Sequence, residues 1–144
     1  HQYKKSLISF TLNIPGPVKV LTDVPEAFAS GCQRIETLLK DRLVLIQHME
    51  TIKEKTGYEA FYSVDANPDF IKELMVSLED QDRLGRLFDI DVLRPDGSKV
   101  SREDMGSAPR TCLLCGQPAH VCSRSRRHSV AELTAEIGKI LSGL

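Results

Sequence analysis

Asp89 and Asp91 stand two residues apart in the run Gly85-Arg86-Leu87-Phe88-Asp89-Ile90-Asp91-Val92. In a β-strand, residues i and i+2 point to the same face. This spacing therefore sends both carboxylates one way and Phe88, Ile90 and Val92 the other. Two carboxylates held side by side repel unless a cation sits between them. The cation suited to that task is Mg2+, a hard ion bound by one or two carboxylates together with substrate phosphates. The pattern thus fits chemistry on a phosphate ester. The same short pattern also serves as a solvated pair at a strand end.

The elements that must carry this pair follow from periodicity. Leu7, Ile8, Phe10, Leu12 and Ile14 alternate well enough to predict a strand over Ser6–Ile14, stopped by Pro15-Gly16-Pro17. Asp23 and Glu26 have capping-box spacing, and Phe28, Cys32, Ile35 and Leu39 then recur along one helical face. Cys32 reads as a small buried hydrophobe on that face. A break near Asp41-Arg42 precedes a strand reaching about Ile52, a turn over Lys53–Gly57 and a returning strand Tyr58–Val64. Asn67-Pro68 caps and opens a short helix, and Leu74–Leu78 reads as a further strand. Arg94-Pro95-Asp96-Gly97 is a turn, so residues 87–102 resemble a hairpin. Ser129 and Glu132 form a second capping box, opening a helix over 129–144 with Leu133, Ile137, Ile140 and Leu141 on one face.

Charge is distributed unevenly. Residues 1–104 carry 14 Lys and Arg against 18 Asp and Glu, whereas residues 105–144 carry 5 against 2. No acidic residue falls between Met105 and Ala131, a segment that holds Arg110, Arg124, Arg126 and Arg127. Such a segment attracts phosphates or an acidic protein surface. The three clustered arginines also precede a helix N-terminus, where backbone N–H groups favour anions. A net charge of −1 with 6% aromatic residues argues against nucleic acid as the partner. No apolar run is long enough to cross a bilayer, and no signal-peptide pattern opens the chain. These features predict one soluble globular domain over 1–144 with no membrane partner. The chain opens on His1 rather than Met, so part of a natural N-terminus is expected to be missing.

The basic segment, residues 105–131, also holds Cys112-Leu-Leu-Cys115, Cys122 and His128. A Cys-x2-Cys turn can grip one zinc ion, and Cys122 and His128 can complete a Cys3His tetrahedron, with His120 as a spare ligand. The spacing matches no common zinc finger. Reduced cysteines in a compact loop and a redox pair therefore remain open alongside zinc; a structural disulfide does not suit a cytosolic chain.

Several segments together carry a family resemblance. Leu84-Gly85-Arg86-Leu87-Phe88-Asp89-Ile90-Asp91-Val92, Ser101-Arg102-Glu103-Asp104, Arg110-Thr111-Cys112-Leu113-Leu114-Cys115 and Cys122-Ser123-Arg124-Ser125-Arg126-Arg127-His128 resemble the holo-citrate-lyase synthases. These are also called apo-citrate lyase phosphoribosyl-dephospho-CoA transferases. Ser9-Phe10-Thr11 and Pro15-Gly16-Pro17 fit as well, so the resemblance spans essentially the whole chain, less a family segment before the first strand.

The resemblance implies a bacterial, cytoplasmic nucleotidyltransferase-type enzyme. Its donor would be 2'-(5''-triphosphoribosyl)-3'-dephospho-CoA, and its acceptor a serine of the citrate lyase acyl carrier protein (γ) subunit. The residues fit that chemistry: Asp89 and Asp91 are candidates to hold Mg2+ against the triphosphate, one of them also to accept the serine proton. Arg86 would neutralise the pyrophosphate, and Arg102, Arg110, Arg124, Arg126 and Arg127 are candidates for the remaining phosphates or the acidic carrier. By analogy the fold is α+β, a mostly antiparallel or mixed sheet with helices packed on it, similar to a nucleotidyltransferase palm. Two alternatives stand beside it: a non-catalytic, zinc-stabilised module that docks the carrier protein, and a related nucleotidyltransferase acting on another carrier.

Overall fold

The computed structural model describes residues 5–13, 24–54, 57–106, 110–115, 117–119, 122 and 128–142. Four strands and three helices follow in the order β1 (Lys5–Leu12), α1 (Val24–Asp41), β2 (Ile46–Glu54), β3 (Gly57–Asp65), α2 (Pro68–Glu79), β4 (Phe88–Leu93) and α3 (Val130–Ser142), with short 3-10 turns at Gly85–Leu87 and Glu103–Met105. The sheet has the order β2-β3-β1-β4, and each neighbouring pair is antiparallel. The α+β expectation holds, and the described sheet is antiparallel throughout rather than mixed.

Alternation builds the core. Ile8 and Phe10 of β1, Ala60, Tyr62 and Val64 of β3, and Phe88, Ile90 and Val92 of β4 are buried in one cluster with residues of α1 and α2. Ile137, Ile140 and Leu141 of α3 join the same cluster. Phe10 stacks on Phe28 at 5.2 Å between ring centroids and meets Phe88 edge-on at the same distance. This packing needs Gly31, because a Cβ there would lie 2.2 Å from the Phe10 ring. On the opposite sheet face, Ser9, Thr11, Glu59, Phe61, Asp89 and Asp91 are all incompletely buried.

Two expectations are corrected. Leu74–Leu78 is not a strand: it is the second half of α2, whose Ile71, Leu74, Met75 and Leu78 are buried at helical spacing. The apolar run was short enough to fit either period, and the Asn67 cap decides the matter by accepting the Asp69 N–H at 2.9 Å. The 87–102 hairpin makes its turn, with Gly97 at φ 89°, but its return arm reaches only the single bridge Leu93–Lys99. Ser101 and Arg102 leave the ladder: the Ser101 N–H donates to Asp104 at 3.0 Å, and Arg102 turns to Glu79. The second capping box forms reciprocally, the Ser129 N–H donating to Glu132 at 2.9 Å and the Glu132 N–H to Ser129 Oγ at 3.1 Å. Asp23 of the first box, Pro15-Gly16-Pro17, His120, Arg124, Arg126 and Arg127 lie outside the described residues.

β4 is an edge strand, and its outer edge is closed by side chains and one loop amide. The Phe88 carbonyl accepts from Arg110 at 2.8 Å. The Ile90 N–H donates to Glu79 Oε2 at 3.0 Å, and the Ile90 carbonyl accepts from Lys72 Nζ at 3.3 Å. The Val92 carbonyl accepts from the Val100 N–H at 2.9 Å. Glu79 is only 3% exposed, and its other oxygen receives Arg102 at 2.6 Å. The 3-10 turn entering β4 must lie against the end of α2, because a Cβ on Gly85 would fall 2.3 Å from the Leu78 carbonyl oxygen.

Two outcomes follow from this architecture. Glu79→Ala leaves Arg102 and the Ile90 N–H without their buried partner, and urea denaturation is expected to read a loss of about 3–5 kcal/mol. Glu79→Gln keeps an acceptor for the Ile90 N–H while removing the charge, and loses less; equal losses for the two would contradict the role given to that hydrogen bond. Leu43 ends α1 at φ 59° with its side chain 93% exposed, a left-handed position that disfavours a Cβ. Leu43→Gly is expected to stabilise the fold by about 0.5–1 kcal/mol in the same assay, since relief of that strain exceeds the added entropy of the unfolded chain.

Candidate active site

Asp89 and Asp91 share the face of β4 opposite the buried Phe88, Ile90 and Val92, as strand alternation requires. They stand opposite Thr11 and Ser9 of β1 in the antiparallel register. Asp91 has a cationic neighbour in Lys99, whose Nζ lies 3.5 Å from Oδ2. Asp89 reaches solvent, yet its carboxyl is raised above the usual carboxylate range. The main cause is the protein packed around it, which removes hydration; the charges of Asp91 and Glu79 add to this, against the pull of Arg110 and Lys99. Ionised Asp89 is therefore disfavoured where it stands, a state that an added cation relieves.

Two cavities flank this strand and share Asn13 in their walls. One, of about 440 Å³, is bounded by Asp89, Thr11, Tyr58 and two further acids, Glu54 and Glu59. The other, of about 330 Å³, is bounded by Arg86, Arg110, Thr111, His128 and Leu133. An acidic hollow and a basic hollow thus adjoin, a layout that offers cation sites beside anion sites.

The arginines singled out in the sequence divide by partner. Arg110 grips the start of β4, donating to the Phe88 carbonyl at 2.8 Å and the Arg86 carbonyl at 2.6 Å, with Glu79 at 3.8 Å. Arg86 reaches the other way, to the Thr111 carbonyl at 2.7 Å and the Cys112 carbonyl at 3.3 Å. Both still border the basic cavity. Arg102 is engaged by Glu79 at 2.6 Å and Asp80 at 3.1 Å, away from either cavity wall. Arg124, Arg126 and Arg127 are among the residues not described.

Cys112 and Cys115 lie in the turn of a small antiparallel ribbon. It is held by the Thr111–Pro118 bridge, by the Cys112 N–H to the Gln117 carbonyl at 2.7 Å and by the Ala119 N–H to the Arg110 carbonyl at 2.8 Å. Their sulfurs meet those of Cys122 and a ring nitrogen of His128, all four ligand atoms lying within 4.8 Å of one another. The fold therefore gathers the four residues that spacing had grouped.

Sequence reasoning missed Glu59 and Lys99. Alternation along β3 puts Glu59 on the same face as Phe61, but only the order β3-β1-β4 brings it to the cavity of Asp89. Lys99 was available from the hairpin register, since the Arg94–Gly97 turn sets it opposite Leu93.

Comparison with known proteins gives this site a family. The family model described as apo-citrate lyase phosphoribosyl-dephospho-CoA transferase matches residues 1–143. A Streptococcus pyogenes serotype M18 protein named "Probable apo-citrate lyase phosphoribosyl-dephospho-CoA transferase" is 39% identical over 141 residues, covering 94% of this chain and 71% of its own length. A Vibrio cholerae serotype O1 protein of the same name is 39% identical over 132 residues, covering 91% and 74%. Protein CitXG of Leuconostoc mesenteroides subsp. cremoris is 35% identical over 136 residues, which span 94% of this chain and 29% of that longer protein. No described helix is long and apolar enough to cross a membrane. With residues 1–143 matched by the family model, the chain belongs to the apo-citrate lyase phosphoribosyl-dephospho-CoA transferases, a family of enzymes.

Proposed function

We propose that this chain moves the phosphoribosyl-dephospho-CoA group from 2'-(5''-triphosphoribosyl)-3'-dephospho-CoA to a serine hydroxyl on the γ (acyl carrier) subunit of citrate lyase, in the bacterial cytoplasm. The serine oxygen attacks the phosphorus nearest the ribose. The bond from that phosphorus to pyrophosphate breaks, the serine proton passes to a base, and a phosphodiester joins carrier and prosthetic group. The observation that carries the reading, beside the family match, is the Asp89–Asp91 pair on one strand face, with Asp89 in the wall of an acidic cavity.

The residues fit a Mg2+ ion. Two carboxylates share a face, and Asp89, raised first by the packing that strips its hydration and then by the charges of Asp91 and Glu79, is a carboxylate that a bound cation would stabilise. Asp89 and Asp91 would hold the ion, which when bound supplies charge neutralisation to the triphosphate and its leaving group. Transfers of this kind rest on positioning and on stabilising charge that develops as the leaving group departs. Arg86 and Arg110, fixed by their carbonyl bonds at the wall of the basic cavity, supply positive charge for the departing pyrophosphate. Asp89 or Asp91 takes the serine proton. Arg124, Arg126 and Arg127 are assigned to the remaining phosphates or to the acidic carrier.

The test is mass spectrometry of apo carrier protein incubated with this chain, Mg2+ and the triphosphoribosyl donor. One added phosphoribosyl-dephospho-CoA mass on a single serine is expected, and no shift with a folded chain would refute the reading. Asp89→Asn and Asp91→Asn are each expected to slow transfer by about 10²–10³, with the folded state intact. Near-full activity in either would remove that residue from the site.

Stability against pH gives a separate check. A carboxyl whose pKa is raised by folding opposes the fold when ionised. That opposition is complete above the folded pKa and absent below the unfolded value of about 3.9. Asp89→Asn is therefore expected to raise Tm at neutral pH, with the gain shrinking as pH falls and vanishing below about pH 3.5. Mg2+ is expected to raise the Tm of the unaltered chain and to raise that of Asp89→Asn much less. A Tm gain for Asp89→Asn that is the same at every pH would contradict the charge argument.

A further inference from the structure

The geometry points to a structural zinc site formed by Cys112, Cys115, Cys122 and His128, an assignment independent of the transfer reaction proposed above. One ligand atom from each residue lies within 4.8 Å of the other three. Tetrahedral zinc, with sulfur at about 2.3 Å and nitrogen at about 2.0 Å, spaces its ligand atoms about 3.5–3.8 Å apart. Cys115 Sγ and Cys122 Sγ are already 3.5 Å apart. No disulfide joins any of the cysteines, all of which are among the described residues.

A second observation comes from the histidine. Nε2 of His128 is buried and has no hydrogen-bond partner among the described residues. An orphaned buried ring nitrogen is costly, and a metal ion is the partner that a neutral imidazole nitrogen suits. The cysteine side agrees: the Leu114 N–H donates to Cys112 Sγ at 3.4 Å, and a donor aimed at sulfur favours the thiolate form that a metal needs.

The donor set selects the ion. Three thiolates and one imidazole suit zinc and exclude Mg2+ and Ca2+, which take oxygen ligands. Four protein ligands close the coordination sphere, so the role is structural. Cys112 and Cys115 come from the ribbon tied to β4 by Arg86 and Arg110, while His128 directly precedes the capping box of α3. The ion would thus join the ribbon to α3. Cys122 and His128 also bracket Arg124, Arg126 and Arg127 in the sequence, so it would anchor both ends of that basic segment.

The test is metal analysis of the full chain, purified in reducing, chelator-free buffer after growth with added zinc. About one zinc per chain is expected by mass-spectrometric elemental analysis, together with a thiolate-to-cobalt charge-transfer band when Co2+ replaces it. Cys115→Ser and His128→Ala are expected to weaken zinc at least 10-fold in competition with a chromogenic chelator. Cys32→Ser and Asp89→Asn should bind as the unaltered chain does. Because a ligand variant can fail to fold, the unaltered chain supplies its own reading: stripping the zinc should lower Tm, and zinc, but not Mg2+, should restore it. Less than half an equivalent in a folded, zinc-supplemented chain would overturn the proposal. So would unchanged affinity in a folded Cys115→Ser protein, or two of the four thiols found joined as a disulfide. The transfer reading fails separately, through absence of a mass shift on the carrier with zinc still bound.

Discussion

The carboxylate of Glu79 is the constraint on which the site depends. It is buried at the end of α2, accepts the Ile90 N–H and receives Arg102, and Arg110 stands 3.8 Å away. A lone carboxylate in such a position is strongly disfavoured, so the fold must bring cations to it. Arg102 arrives from beyond the Arg94–Gly97 turn and Arg110 from the cysteine ribbon. One buried charge thus pulls two separate segments onto the strand that carries Asp89 and Asp91. The same charge reaches the site directly, since it adds to the negative potential that raises the Asp89 carboxyl.

That coupling gives the site a consistent electrostatic logic. The neighbourhood of Asp89 is kept rich in negative charge, while Arg86 and Arg110 have their guanidinium groups turned to carbonyls rather than to the aspartates. Carbonyl bonds orient an arginine without neutralising it. The two hollows therefore keep opposite sign although they share a wall at Asn13. A surface that holds unlike charges apart suits a substrate that carries both a phosphate chain and its metal ion. It also opposes the fold, in line with the general tendency of functional residues to be retained at a cost in stability.

Much of this was readable in the residues, and what was not has physical reasons. A period of two is unambiguous in Phe88-Asp89-Ile90-Asp91-Val92, because polar and apolar residues alternate without a break. Capping at Ser129 is local, and so is its chemistry. The run Leu74-Met75-Val76-Ser77-Leu78 gave no such guide: four of its five residues are apolar, and the helix shows in the Asn67 cap before it and in the burial of Ile71 and Leu78 seven residues apart. The partners of Arg86, Arg102 and Arg110 were out of reach for a different reason. Whether a guanidinium meets a phosphate, a carboxylate or a carbonyl is decided by segments 20 or more residues away, as with Arg102 and Glu79. The cysteine spacing grouped four residues that the fold brings together, but spacing alone had no access to the buried nitrogen of His128, which has no hydrogen-bond partner among the described residues.

The closed edge of β4 has one more consequence. A sheet grows by adding strands at an edge whose backbone groups are unpaired, and β4 presents its outer Phe88 and Val92 carbonyls and both Ile90 groups already bonded. The opposite edge, β2, is lined by exposed Glu50, Lys53 and Glu54. Charges there discourage pairing, whereas on β4 the pairing positions themselves are occupied. The strand bearing the aspartates is thereby insulated from self-association, and its open face can meet another protein without its edge being drawn into the contact.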